Sequence, residues 1–383
     1  MKNNKYEIDM CNGTLMDKLI SFAIPLMLSG MLQLMFNAVD IIVVGRFTGS
    51  TALAAVGSTT ALISTFTNLF IGVSLGANVL AARFYATGKS KEMSETVHTA
   101  IALAAISGVV MCIIGIAAAR EALVLIDTPD DVIGQAALYL RLYFCGMPFF
   151  MLYNYGAAIL RAVGDTKRPL MYLIIAGSTN AVLDLVLVII FKMGVAGVAI
   201  GTVTSQLISC ILVIRCLMTT ESDYKLRIRD LRIRKYYLLQ ILSVGLPAGI
   251  QSTVINFSNV LLQSSVNSFG EIAMAGYTAA NNILGFLYVS VNSITQACMS
   301  FTSQNYGVRK FKRMDKVLID CMILSVIVSV VIGGGSYILG RQILGIYTNQ
   351  SEVIECGMEI LSISTIPYFL CGIMDMLPGA MRG

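Results

Sequence analysis

Three aspartates lie inside long apolar segments of the chain: Asp40, Asp184 and Asp375. A charged side chain at the centre of a membrane helix costs about 2.5–3.5 kcal/mol on insertion scales, so such residues are functional candidates by default. Carboxylates supply the hard oxygen ligands that suit Na⁺, and two of them close together can hold a proton between them. These residues therefore predict reversible binding of a small cation.

Loop charges place two of the aspartates at a similar depth. Asp40 precedes Arg46 by six residues, and Asp184 precedes Lys192 by eight. At 1.5 Å per residue, the two carboxylates lie about 9 and 12 Å inside their segments. Asp375 differs, because Arg382, seven residues after it, is assigned to the cytoplasmic side by the charge pattern, and because its counterpart in the repeat is Asn154. For Asp375 we expect a structural or inner-vestibule role.

Three further polar residues fall in the same layer. Asn180 lies one turn before Asp184 on the same helix face, Thr202 lies about 15 Å beyond Lys192 on the next helix, and Tyr139 reaches a similar level. Hydrogen bonding between helices is the structural alternative and would suffice for Asn180 or Thr202 alone. It is a poorer account of two aspartates whose only competing in-span base is Arg141.

The composition indicates that the elements carrying these residues lie in a membrane. The 383 residues are 56% apolar and only 13% charged, against about 25% charged in soluble domains. Ten segments are long enough to span a bilayer as helices, and backbone groups in lipid must be satisfied within each segment. The predicted spans are 17–44, 52–82, 96–119, 133–160, 169–191, 195–218, 238–267, 273–304, 317–340 and 354–381.

The basic residues predict the orientation of these spans. Only five of the 27 basic residues fall on one side of the predicted spans, and they are Arg46, Arg120, Arg141, Lys192 and Arg341. The others, from Lys2, Lys5 and Lys18 to Arg382, fall on the opposite side. Lys and Arg accumulate on the cytoplasmic side, so the N-terminus is expected there.

The chain also repeats itself with an offset of 219–222 residues, which places Pro25 over Pro247 and Arg161 over Arg382. Each half is expected to hold six helices, related by a pseudo-twofold axis along the membrane normal. The predicted organisation is an N-terminal lobe at 1–218, a basic linker at 219–236 and a C-terminal lobe at 237–383. Because the second half stops at the match to Arg161, we expect ten of twelve helices and a truncated C-terminal lobe.

Prolines fall inside the first and fourth predicted helices of each half. Pro25 and Pro247 lie in the first helix of each half, and Pro148 and Pro367 lie in the fourth. A proline within a helix removes a backbone hydrogen bond and permits a kink. Pro25 is the preferred hinge candidate, because it shares a helix with Asp40.

The combined motifs resemble those of multidrug and toxic compound extrusion (MATE) transporters. They are Pro25 followed by Asp40 and VGRFTGSTALAAVG, then RAVGDTKRP, STNAVLDLVLV and GVAGVAIGTVTSQ. The resemblance covers the whole chain. It implies a two-lobed, all-helical fold and export of cationic or amphipathic small molecules in exchange for Na⁺ or H⁺. Ile255 stands where some branches carry a glutamate, so coupling through the N-terminal lobe is expected.

The resemblance also implies roles for individual residues. The cation site would consist of Asp40, Asn180, Asp184 and Thr202, and the substrate pocket would include Gln33, Asn37, Tyr139 and Asn154. No cofactor is expected, nor any metal other than Na⁺ at the cation site. The expected partners are small-molecule substrates and the lipid bilayer, not nucleic acid, and the protein is expected to be a monomer and not an enzyme.

Two other classes of function were considered. A lipid-linked glycan flippase of similar fold would need several in-span Arg or Lys residues for pyrophosphate, and the chain offers only Arg141. A membrane-embedded enzyme would need a catalytic cluster, such as a His/Glu metal set, and the single histidine, His98, cannot form one. Export of cationic or amphipathic small molecules in exchange for Na⁺ or H⁺ is the function that the sequence favours.

Overall fold

The structure, a computed structural model, describes residues 6–126, 128–348 and 350–383, and these residues form helices and no strands. Lys2 and Lys5 of the charge pattern lie outside the described residues. The α-helices are α1 Met16–Phe47, α2 Ser50–Ala86, α3 Ser90–Leu125, α4 Asp130–Cys145, α5 Met147–Ala162, α6 Lys167–Leu185, α7 Val195–Thr219, α8 Lys235–Asn267, α9 Glu271–Gly307, α10 Phe311–Ile338, α11 Gly340–Tyr347, α12 Ser351–Thr365 and α13 Tyr368–Arg382. A π-helical turn, Val186–Ile190, extends α6, and a 3₁₀ turn, Ile228–Asp230, lies between α7 and α8.

The prediction of about ten membrane-spanning helices is confirmed. Among the described residues, eight single helices are long and apolar enough to cross a bilayer. Two bent pairs, α4 with α5 and α12 with α13, bring the number to ten when each pair counts as one span. In lipid, backbone N–H and C=O groups need hydrogen-bond partners within the protein. The helices provide these partners, because each helix makes its backbone hydrogen bonds internally.

Both predicted fourth helices are divided at their proline. Pro148 lies in the first turn of α5, and Pro367 lies directly before α13. The two halves of each pair are bent by 46° and 48°. The sequence placed Pro148 and Pro367 inside continuous helices. In the structure, each proline instead lies at the start of a new helix. A missing N–H costs nothing at this position, since the first N–H groups of a helix have no internal partner.

Pro25, in contrast, lies within the continuous helix α1. The carbonyl oxygen of Pro25 accepts a hydrogen bond of 2.8 Å from the Ser29 hydroxyl, one turn later. The hinge role of Pro25 stays a prediction.

The helices pack into two compact units. One comprises Leu32–Val254 together with Tyr6 and Glu7, and the other comprises Ile8–Met31 and Ile255–Gly383. These units are defined by packing, whereas the lobes at 1–218 and 237–383 are defined by sequence repetition. The lobe boundaries and the pseudo-twofold axis stay predictions.

In the second unit, α9 forms the centre and contacts α10, α12 and α13. The rings of Phe22 and Phe301 meet edge to face with their centroids 5.6 Å apart. Leu19 and Ile294 are fully buried in the same cluster. Apolar packing on α9 therefore holds this unit together.

In the first unit, α3 supports the bent pair α4–α5 through two glycines. A Cβ atom added at Gly108 would lie only 2.5 Å from the Cα of Pro148, and one added at Gly115 would overlap the ring of Phe144. Small residues let helix backbones approach closely in membrane proteins, where dispersion contacts hold helices together. Gly108 and Gly115 thus fix the position of the bend on α3.

We predict that Gly108→Ala lowers the stability of the protein by about 1–3 kcal/mol, because the added methyl group meets backbone atoms. Thermal unfolding of purified protein in detergent would measure the loss. Gly134→Ala is the matched control, since nothing lies within 4 Å of a Cβ added there. Alanine at that position is expected to be neutral or slightly stabilising. Equal melting temperatures for the two variants would contradict the packing argument.

Candidate cation-binding site

The site begins with a close approach of α1 and α6. Gly177 on α6 faces the ring of Phe36 on α1, and a Cβ atom at Gly177 would overlap that ring. Asp40 follows Phe36 by one turn on α1, and Asp184 follows Gly177 by two turns on α6. The contact between Gly177 and Phe36 therefore brings the two aspartates to the same place.

The carboxyl groups of Asp40 and Asp184 lie within hydrogen-bonding distance of each other. Asp184 is fully buried, and its Oδ1 accepts a hydrogen bond of 3.3 Å from the amide of Asn180. Asp40 Oδ1 and Asp184 Oδ2 are buried and have no hydrogen-bond donor among the described residues. Two carboxylates in contact repel each other unless a proton or a metal cation lies between them.

A glycine on α7 also shapes the carboxyl pair. A Cβ atom at Gly201 would overlap Asp184 Oδ1 and would lie 3.5 Å from the amide nitrogen of Asn180. Only glycine leaves room for a carboxyl group against the backbone at this position. The neighbouring Thr202 donates its hydroxyl to the carbonyl oxygen of Val198 at 3.0 Å, which leaves the lone pairs of its oxygen free to accept or to ligate.

Next to the pair lies a cavity of about 380 Å³, within the range typical of small-molecule sites. Its lining includes all the residues predicted for the substrate pocket and all the predicted cation ligands except Asp184, namely Gln33, Asn37, Asp40, Tyr139, Asn154, Asn180 and Thr202. Asp184 lies behind this wall. Residues from five helices thus meet where the sequence placed them.

Several cavity residues were not predicted from the sequence. Gln206 lies one turn after Thr202 on α7, and its buried Oε1 has no donor in the described part of the chain. Tyr143 lies one turn after Tyr139 on α4, and the two rings lie 6.3 Å apart. A search for polar residues one turn from each predicted ligand would have found both. Gly177 and Gly201 carry no such signal, because their role is to leave space.

The other ionisable residues considered in the sequence are not part of this site. Arg141 is exposed and does not line the cavity. Asp375 belongs to the second unit. No described group of three or more His, Cys, Asp or Glu side chains has the arrangement of a metal centre. The described residues of the cavity wall therefore include no basic partner for the carboxyl pair.

Comparison with known proteins agrees with this architecture. The MatE family model matches residues 25–186 and 247–383. The chain belongs to the MATE family. It is 30% identical to the probable multidrug resistance protein YoeA of Bacillus subtilis (strain 168), over 94% of this chain and 80% of that protein.

More distant MATE relatives match over similar lengths. Multidrug export protein MepA of Staphylococcus aureus (strain NCTC 8325 / PS 47) is 22% identical over 95% of this chain and 80% of its own. A solved structure described as the outward-facing conformation of a multidrug resistance MATE family transporter superposes with a TM-score of 0.92. That alignment covers 100% of this chain and 86% of the solved chain at 21% identity, and it shows the shared MATE fold.

The contact between Gly201 and Asp184 predicts a double-mutant effect. Gly201→Ala alone is expected to lower stability by about 1–3 kcal/mol, because its methyl group displaces a buried carboxyl group. In an Asp184→Ala background the same change has room and adds helix preference, so it is expected to be neutral or stabilising. Thermal unfolding of the four proteins would measure this coupling. The same loss in both backgrounds would contradict the contact.

Proposed function

We propose that this MATE protein is a secondary active antiporter that exports cationic or amphipathic small molecules in exchange for a small cation. The carboxyl pair of Asp40 and Asp184 carries the proposal. Asp184 and one carboxyl oxygen of Asp40 are buried, the described residues of the cavity wall include no basic side chain, and Asp40 faces a cavity of ligand size. Such a pair is stable only while a cation neutralises it, which is the property that ion coupling needs.

The lining of the cavity supports a cationic or amphipathic cargo. Asp40 is the one charged side chain among the described lining residues of the cavity. Five aromatic residues also line the cavity, namely Phe36, Tyr139, Tyr143, Phe150 and Tyr153. Aromatic faces attract organic cations and also accept apolar surface. The same lining offers no Lys, Arg or His to bind the pyrophosphate of a lipid-linked glycan, which disfavours the flippase alternative.

Exchange follows from competition for Asp40. A coupling ion on the carboxyl pair neutralises Asp40 and weakens its attraction for a cationic cargo. Departure of the ion leaves a negative charge that favours the cargo. Opening the cavity to opposite sides of the membrane in turn would link the two movements. Each unit charge that crosses at 100 mV provides about 2.3 kcal/mol, so a single ion is an adequate driving force.

The coupling ion is proposed to be a proton, with Na⁺ as the alternative. Two carboxyl groups in direct contact can share one proton, which supports the proton as the coupling ion. The oxygen atoms of Asp40, Asn180, Asp184 and Thr202 also form a ligand set suited to Na⁺. The proposed location of the protein is a bacterial inner membrane, with the N-terminus in the cytoplasm. The protein is proposed to act as a monomer.

Asp40→Asn is predicted to reduce efflux of a cationic dye such as ethidium to the level of cells without the protein. The amide keeps the shape of the side chain but cannot take up and release a proton. Asp17→Asn is the matched control: it makes the same chemical change at an exposed position of the same helix. Dye retention at equal membrane expression would be compared. Unchanged efflux by Asp40→Asn would exclude coupling through this carboxyl.

The coupling ion can be identified in proteoliposomes with separately imposed gradients. A pH gradient at constant Na⁺ is predicted to drive dye uptake into the vesicles, and a Na⁺ gradient at constant pH is predicted to have no effect. Asp184→Asn should abolish the pH-driven signal. Dye movement driven by Na⁺ alone would instead identify Na⁺ as the coupling ion and contradict the proton assignment.

A further inference from the structure

The basic linker, residues 219–236, has a composition that transport does not explain. Residues 225–235 carry one acidic residue, Asp230, and six basic residues, namely Lys225, Arg227, Arg229, Arg232, Arg234 and Lys235. Apolar residues alternate with these charges in the run KLRIRDLRIRK. A flexible connection would need neither the charge nor the apolar side chains.

Hydrogen bonds hold the backbone of this linker against α3. The N–H of Arg227 donates to His98 Nε2 at 3.0 Å, and the N–H of Arg234 donates to the Thr99 hydroxyl at 3.3 Å. The N–H of Leu226 donates to the carbonyl oxygen of Leu217 at 2.9 Å, which ties the linker to α7 as well. The linker therefore presents a defined surface, with its side chains at fixed places.

Only part of the positive charge is neutralised within the protein. Glu95 on α3 accepts hydrogen bonds from Arg232 at 2.6 Å and from Arg234 at 3.1 Å. Hydrogen bonding to Glu95 raises the pKa of Arg232. The exposed side chains of Arg227 and Arg229 form no ion pair with any described residue. A net positive surface remains, and it is available to an anionic partner from outside the chain.

Exposed apolar side chains lie between these charges. Ile228 is 61% exposed, Leu231 is 37% exposed and Ile233 is 38% exposed. The linker contacts α3 near the start of that helix, at Glu95–Thr99, and leads directly into α8. Both helices continue as membrane spans. The linker therefore lies at the level where these helices enter the membrane, and a lipid interface would accept both its apolar and its basic side chains.

We infer that the basic linker is a docking surface for the headgroups of anionic phospholipids, with Arg227 and Arg229 as the side chains that bind the lipid phosphates. Guanidinium groups bind phosphate through paired hydrogen bonds. Ile228 and its apolar neighbours would enter the interfacial layer between them. This surface is separate from the cavity, so the inference stands or falls independently of the proposed transport.

The absence of tryptophan from the chain provides a clean test. Ile228→Trp introduces a single fluorescent reporter in the middle of the surface. The full-length variant would be reconstituted in vesicles of phosphatidylcholine containing brominated phosphatidylglycerol or, separately, brominated phosphatidylcholine. Bromine quenches tryptophan on contact. We expect a preference for the anionic lipid of about threefold to fivefold, reduced by high salt through screening.

Two further variants assign this preference. Arg227→Gln with Arg229→Gln in the reporter background should bring the ratio of anionic to zwitterionic quenching close to one. Arg120→Gln, which removes an exposed charge at the far end of α3, should leave the ratio unchanged. Equal quenching by both lipids in the parent, or an unchanged ratio in the double variant, would overturn the inference. A fluorescence change caused by added oligonucleotide, without lipid preference, would assign the surface to nucleic acid instead.

Discussion

The contact between two acidic side chains imposes the main constraint on this molecule. Asp40 and Asp184 come from helices that are distant in sequence, and their carboxyl groups meet beside a cavity whose described lining includes no arginine or lysine. A structural ion pair would have included a basic residue. The proposed counter-charge is therefore a coupling ion that arrives and leaves. The cavity beside the pair and its aromatic lining are consistent with that proposal.

Glycines make the contact possible, because they remove volume where helices must approach. Gly177 admits the ring of Phe36, and Gly201 admits the carboxyl group of Asp184. Gly108 and Gly115 allow α3 to support the bent pair α4–α5, which carries Tyr139, Tyr143 and Asn154 to the cavity. Backbone approach at these points thus determines the shape of a site to which the glycines contribute no chemistry. In a membrane, where apolar side chains gain little by leaving lipid for protein, such close packing is a principal source of helix association.

The first unit carries opposite charges in two places, the carboxyl pair and the basic linker. Within the membrane-spanning bundle, two carboxyl groups meet beside the amide of Asn180. At the linker, an excess of positive charge is held on a backbone fixed by His98 and Thr99, and Glu95 neutralises only part of it. Basic residues are costly inside a membrane, which favours their placement in loops such as the linker.

The sequence by itself determined the class of the protein, the number of its spans and the identity of the residues that meet at the site. Each of these follows from local quantities: the length of apolar segments, the periodicity of a helix and the cost of a charge in lipid. Asp40, Asn180, Asp184 and Thr202 could be placed at one depth because rise per residue is constant in a helix. For Pro148 the sequence predicted a possible kink but not the division of the span into α4 and α5. A proline permits a bend, but it does not determine whether the helix continues through the bend. Tertiary structure alone decided which faces of the helices meet. Rotation of each helix about its own axis depends on packing with its neighbours, and so the contact of Asp40 with Asp184, the role of Gln206 and the space left by Gly177 and Gly201 emerged only when the helices were assembled.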